Sequence, residues 1–501
     1  MKDQNLYKLF AYSDNLGFNN PYYFKKEGRL QIQSKLANVL ALFDAEKTID
    51  SVAAVEVLNT NHPLADRTVI QNIYKTPWLA SPNADFRDWK YASLPKHGHI
   101  TDDPKIIAKK FFDLLCEEIF DYTRDKKTIG LLLSGGMDSR MVAGALDFLI
   151  KTKQIDVEVT GLTWGNPNTR DVIYAEKIAT LLGWKWKHYT VTASDLLDNI
   201  YETGLRGCEY SPIHLHAIPQ IRRTTNFDVI LAGSYGDSIG RAEYGGVHVT
   251  QLKPLNENIT NVANLFREEI FQDALPQIQK DIDQYHQLFP ADELYMQNEY
   301  DYQLHYMRRQ LNPCMEILNE DSDFFQVFTS PKTFRFMWEI SPSLRNNDLY
   351  KHMLTFFFTD LSHIPWARTG LKYGATEGKP DKFSNRHHSY VEIMNFEILD
   401  KMKELALSDE IKQVGIFNYE SIEELFRLTK RYPINSFYYT EKLAWISSLA
   451  VMIKEYNIIV TGSEDDGMTI KEMKALTQSQ YMPRYYRNKI GGYLRKFNLI
   501  K

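Results

Sequence analysis

Ser134, Gly135, Gly136, Asp138 and Ser139 stand in one short run, Ser-Gly-Gly-Met-Asp-Ser. These residue types in this order suit the holding of phosphate. Glycines let backbone N–H groups come close to phosphate oxygens, and a helix N-terminus favours negative charge. Ser134 and Ser139 add hydroxyl donors. A carboxylate does not attract phosphate, so Asp138 implies a bridging divalent cation, with Mg²⁺ the expected ion. The run lacks the lysine and spacing of a Walker A loop, and it is not a G-x-G-x-x-G dinucleotide turn.

A second carboxylate fits the same chemistry. Asp228 to Gly240 reads as a strand followed by a Gly-rich turn, Gly233-Ser-Tyr-Gly-Asp237. Alone, Asp237 would be an ordinary turn aspartate bonding its own backbone. Beside Asp138 it becomes a second metal ligand, since two carboxylates converging on a triphosphate can share Mg²⁺. Leu133, Thr163 and Gly233 are expected to contact the nucleotide from the ends of their strands. Asp171 is either a contact of the same kind or a simple helix-capping acid. Tyr235 either approaches the reacting centre or packs.

These residues need elements to position them. Ile129 to Leu133 is an apolar run of the kind found in buried parallel strands, and Met141 to Leu146 has helical spacing. A helix is predicted from Asp103, carrying Ile106, Ile107, Phe111, Phe112, Leu115, Ile119 and Phe120 on its apolar positions. Strands are predicted over 157–164, 186–191 and 229–232, with helices over 171–182 and 194–204 between them. Such alternation argues for a parallel α/β sheet, whose ligands sit outside the carboxyl ends of the strands. Residues 1–100 show strand-like pieces (30–33 and 68–74) and helical ones (36–43 and 51–58). The stretch 81–101, with its prolines, reads as a linker. From about 255 the pattern is mainly helical, with apolar and aromatic stretches at 334–340, 350–361 and 437–453.

The composition fits a soluble globular protein: 44% hydrophobic and 25% charged residues, with a net charge of −5. Nothing in that balance points to a nucleic-acid or membrane-surface binder. The basic stretch 484–501 reads as a solvated amphipathic helix. Cys116, Cys208 and Cys314 are too few for a disulfide framework, and zinc-site spacing is absent. The N-terminus lacks a signal-peptide core, and no apolar run is long enough to span a membrane, so a cytoplasmic location is expected. The doublet His387-His388 lacks a third partner and is not read as a metal site; His188 reads as structural.

With these residues in hand, the chain resembles the asparagine synthetase family, most strongly over 129–240 and in outline over roughly 20–375. The resemblance makes Ser134 to Ser139 the pyrophosphate loop. It matches Asp171, Ala175, Ala179 and Gly183 to a family helix pattern, and Gly233 to Asp237 to a loop ending in a metal-binding aspartate. It sets Ile364-Pro-Trp-Ala-Arg368-Thr-Gly370 near an acceptor site. By resemblance, Arg368 and Lys372 are catalytic candidates, together with Tyr235. Residues 28–93 are similar to the latter half of a glutaminase-like domain, so residues 1–100 are expected to be a truncated α+β glutaminase-like region without the catalytic cysteine, because Met1 is followed by Lys2. Residues 101–501 then form an adenine-nucleotide α-hydrolase-like (PP-loop) synthetase domain of α/β class with a helical C-terminal part.

The resemblance implies two steps. A carboxylate attacks the α-phosphorus of ATP, releasing pyrophosphate; ammonia or an amine then attacks the acyl-adenylate. ATP and Mg²⁺ are the implied cofactors. The expected partners are a small-molecule or peptide carboxylate and an ammonia or amine donor, with no nucleic acid and no membrane. A homodimer or a separate nitrogen-donating protein is the expected assembly. Ser238 stands where many family members carry Glu, a departure shared with ring-closing relatives such as β-lactam synthetases and lasso-peptide cyclases. Intermolecular amidation and ring closure both remain open, and nucleotide or tRNA modification is the alternative of another class.

Overall fold

Antiparallel pairs come first in the computed structural model, which describes residues 20–459 and 468–496. Strand β1 (Tyr22–Lys26) pairs with β2 (Arg29–Gln33) across Glu27-Gly28, and with β3 (Tyr74–Lys75) on its other side. Helices Leu36–Leu42 and Ser51–Thr60 pack beside this layer. Of the strand expected over 68–74, only its end, Tyr74, lies in a strand; Ile70 makes an isolated bridge with Ile49, and Tyr74 makes another with Arg67. The stretch expected to be a linker carries a hairpin, β4 (Ala80–Pro82) with β5 (Trp89–Tyr91). It is also pinned further on, where Gly98 N–H donates to Trp338 O at 3.1 Å and Ile100 N–H to Glu339 O at 2.8 Å. Prolines limit a strand's donors without preventing it from pairing at an edge.

The α/β core follows. Strand β6 (Thr128–Leu132) lies between β7 (Glu158–Trp164) and β9 (Val229–Ala232), and β8 (Lys185–Tyr189) lies outside β7. A short hairpin, β10 (Glu243–Tyr244) with β11 (Val247–His248), leaves the sheet after β9. The sheet's far edge is β12 (Asp323–Gln326), parallel to β9. This gives the order β12-β9-β6-β7-β8, all parallel. The fold class read from the sequence, a parallel sheet followed by a helical C-terminal region, is the one observed. Strand β12 was not foreseen: its four residues are too short to show a period, and helices surround them.

Local chemistry explains the elements. Asp103 caps the helix Pro104–Thr123, its carboxylate accepting from Lys105 N–H at 2.8 Å, with Pro104 in the first turn. All four residues of β9 are buried, as a doubly covered parallel strand requires. Thr192 and Asp195 form a reciprocal capping box at the start of helix Ala193–Leu205. The later helices close over the sheet. Trp445, on helix Thr440–Tyr456, is fully buried and donates its indole N–H to Cys208 O at 2.8 Å. The three cysteines are buried and free. Among the described residues, no helix is long and apolar enough to cross a membrane. The basic C-terminal stretch lies on helix Ile470–Lys496 as far as residue 496; residues 497–501 lie outside the described residues.

Candidate nucleotide site

The serine-glycine run sits where β6 ends and helix Asp138–Lys151 begins. Ser134 is the hub of the turn. Its N–H donates to Ser139 Oγ at 3.1 Å, and its Oγ accepts from Gly136 N–H at 3.1 Å and lies 3.1 Å from Ser139 Oγ. No side chain caps this helix. Its first N–H groups therefore stay available, which is the arrangement an anion needs. Beneath the turn, the buried Arg140 guanidinium donates to four carbonyls: Gly135 O at 3.2 Å, Ile364 O at 2.6 Å, Pro365 O at 2.8 Å and Leu361 O at 3.3 Å. Ala367 N–H adds a bond to Gly135 O at 3.2 Å. The 364–370 segment is thereby held against the loop.

Asp237 comes to Asp138 because two glycines allow it. A Cβ on Gly236 would lie 2.5 Å from Asp138 Cβ, and one on Gly233 would lie 2.9 Å from the Asp138 carbonyl. The Gly-rich turn thus packs directly on the first helical turn. Asp237 accepts from Ser238 N–H at 2.9 Å. Loss of hydration and then the neighbouring Asp138 charge push its carboxyl up to about 7. Two half-buried carboxylates at one place offer hard oxygen donors. Among the described residues no group of three or more His, Cys, Asp or Glu could hold a metal. Mg²⁺ fits this pair, since it is commonly held by one or two carboxylates with substrate phosphates and water completing the shell.

A chain of alternating charge leads away from Asp138. Arg241, 2% exposed, donates Nε and Nη2 to the two Asp138 oxygens and Nη1 to Glu243 Oε2 at 2.9 Å. Arg368 reaches the same Glu243 oxygen at 3.1 Å and lies over the Trp366 ring, 4.8 Å from its centroid. Lys372 is exposed, and its side chain makes no hydrogen bond or ion pair among the described residues. Beneath Glu243, the next strand residue Tyr244 donates to Glu299 at 2.9 Å, which Arg345 grips with both Nη atoms at 2.8 Å. Burial would raise the Glu299 carboxyl; Arg345 and the His97 hydrogen bond override it and hold it at about 2.

A cleft of about 190 Å³ opens at the carboxyl ends of β6, β7 and β9, lined by Leu132, Leu133, Ser134, Asp138, Ser139, Thr163, Trp164, Gly233, Ser234 and His387. This gathers seven of the sequence-chosen residues: Leu133, Ser134, Asp138, Ser139, Thr163 and Gly233 line it, and Asp237 stands beside Asp138. The Thr163 hydroxyl is already engaged, donating to Leu133 O at 2.7 Å and accepting from Trp186 Nε1 at 3.0 Å. Asp171 lies in the first turn of helix Arg170–Leu181 behind the cleft, and the helix is preceded by Thr169. Tyr235 is buried and donates its hydroxyl to Met307 O at 2.9 Å. It belongs to the packing beneath the turn, outside the residues that line the cleft, and a catalytic role does not follow from this placement. Ser238, also buried, donates to Tyr235 O at 3.1 Å. Arg140, Arg241, Glu243 and His387 were not singled out for this site from the sequence. Two of them carried a signal: Arg140 as a cation at the head of the apolar run Met141 to Leu146, and His387 as half of a histidine doublet.

The serine-glycine turn and the two aspartates stand at the carboxyl edge of a parallel α/β sheet, where such sheets place their ligands. Residues 113–327 match the family model described as asparagine synthase. No curated protein matches the chain. Among solved structures, it is similar to the tRNA thiolase NcsA from Methanococcus maripaludis, at 13% identity over 74% of this chain and 88% of that one, with a TM-score of 0.25. It is also similar to the NMN synthetase from Francisella tularensis, at 13% identity over 50% of this chain and 95% of that one, with a TM-score of 0.19.

Proposed function

We propose that the protein forms amide bonds: it adenylates a substrate carboxylate with ATP, releases pyrophosphate, and passes the acyl group to ammonia or an amine with release of AMP. The observation that carries this reading is the pairing of an uncapped helix N-terminus at Ser134–Asp138 with a second aspartate, Asp237, on the adjoining turn. The loop N–H groups and the Ser134 and Ser139 hydroxyls would bind the β- and γ-phosphates. Asp138 and Asp237 would hold Mg²⁺, which supplies charge neutralisation on the pyrophosphate leaving group. Arg368 and Lys372, on the segment tied to the loop through Ala367, would meet the carboxylate substrate and the acyl-transfer step. The nitrogen would come from free ammonia, a substrate amine or another protein.

The test is pyrophosphate release from ATP and Mg²⁺, screened against aspartate, uronic acids and small peptides, each with and without ammonium. Asp138→Ala is the control. Carboxylate-dependent pyrophosphate and AMP that vanish in the variant support the reading. A requirement for ammonium identifies intermolecular amidation, and amide formation without it identifies ring closure or an amine co-substrate. Absence of pyrophosphate with every carboxylate counts against it.

A further inference from the structure

Besides Ser134, Ser139 and Asp138, the cleft is lined by Trp164 and His387. His387 comes from far along the chain, on a segment strapped across the turn after β7. Asp381 pairs with Arg170 at 3.1 Å and accepts from the Tyr174 hydroxyl. Arg170 N–H donates to Ser384 O at 2.9 Å, and Asn166 N–H donates to His387 O at 2.7 Å. Asn166 Nδ2 reaches Ser389 Oγ at 3.0 Å. Gly165 takes φ +123°, and a Cβ there would stand 2.7 Å from the His387 ring, so the strap closes only over glycine.

The ring itself is placed with care. Nδ1 is buried, has no hydrogen-bond partner and lies 3.9 Å from an Asp171 oxygen. That carboxylate would orient a ring N–H towards itself, leaving Nε2 as the free hydrogen-bonding atom. Nε2 makes no hydrogen bond among the described residues.

We propose that His387 contacts the nucleoside part of ATP, its base or ribose, with Asp171 as the residue that positions the imidazole. This rests on the ATP reading of the same cleft. Loss of hydration holds the His387 imidazole below its usual range, which keeps it neutral near pH 7 and suits an uncharged nucleoside better than a triphosphate.

The test is calorimetric binding of ATP, AMP and inorganic tripolyphosphate, each with Mg²⁺, to the full chain and to His387→Ala and His387→Gln. A lost hydrogen bond in a closed site weakens ATP and AMP roughly five- to tenfold in His387→Ala and leaves tripolyphosphate unchanged. His387→Gln, which keeps a hydrogen-bonding end, recovers part of the loss and carries the test if the alanine variant does not fold. Unchanged ATP and AMP affinities overturn the inference, as does an equal weakening of tripolyphosphate. Wild-type protein that binds neither ATP nor AMP overturns the ATP reading itself.

Discussion

Arg241 grips both oxygens of Asp138, with Nε 3.3 Å from Oδ1 and Nη2 3.2 Å from Oδ2. A buried guanidinium thus balances the carboxylate assigned to Mg²⁺, and it also serves Glu243. Removing one partner of a buried pair leaves the other charge desolvated and unpaired, at about 3 kcal/mol or more. Arg241→Met is expected to destabilise the ligand-free protein by about 3 kcal/mol, read from denaturant unfolding. Mg²⁺ should restore more stability to the variant than to the wild type, because it replaces the missing positive charge. Equal Mg²⁺ effects on both proteins would separate Arg241 from the metal site.

Asp237 makes the ligand-free protein sensitive to pH. Its carboxyl titrates near 7 when folded, against 3.8 as the ordinary value. The native state therefore keeps a proton that the unfolded chain loses, and stability from this group is full below about pH 4 and gone above about pH 7. Other carboxylates, such as Glu299, act in the opposite sense at lower pH, so the comparison must be with Asp237→Asn. The variant should gain stability relative to the wild type between pH 5 and pH 8. A constant difference across that range would show that Asp237 is not held protonated.

Arg140 joins the phosphate loop to the segment carrying Arg368. Among the described residues its guanidinium meets carbonyls and no carboxylate, and burial pulls its pKa down to about 9. Arg140→Leu would leave the Gly135, Ile364 and Pro365 carbonyls short of donors inside the protein. The expected cost is about 3 kcal/mol or more, measured by thermal or denaturant unfolding. Because the loop loses its tether, the KM for ATP should rise with it. Arg140→Lys should recover little, since a single ammonium cannot reproduce the planar fork.

What could be read from the sequence was local. Ser134 to Ser139 lie within one turn, and β9 announced itself by four apolar residues between turn signals, so both were legible. Arg241 and His387 were not, because their roles come from approach across long separations: His387 reaches the cleft only after the strap closes over Gly165. Tyr235 shows the converse. An aromatic residue in a glycine-rich turn can face a ligand or the core, and only the tertiary packing against Met307 decides. The strand β12 was hidden for a similar reason, since pairing with β9 gives Phe324 and Phe325 their extended form.

Lys372 provides the sharpest separation of the two half-reactions. It is exposed and close in sequence to Arg368, whose guanidinium is committed to Glu243 and Trp366. A cation free to move suits the acyl-transfer step, where negative charge develops on the tetrahedral intermediate. Lys372→Ala should therefore leave carboxylate-dependent pyrophosphate release within about twofold and cut amide formation roughly a hundredfold, with both products followed in the same reaction. Arg368→Ala should instead raise the KM for the carboxylate. Parallel loss of pyrophosphate and amide in Lys372→Ala would move the residue to the adenylation step, and no loss of either would make it a surface lysine.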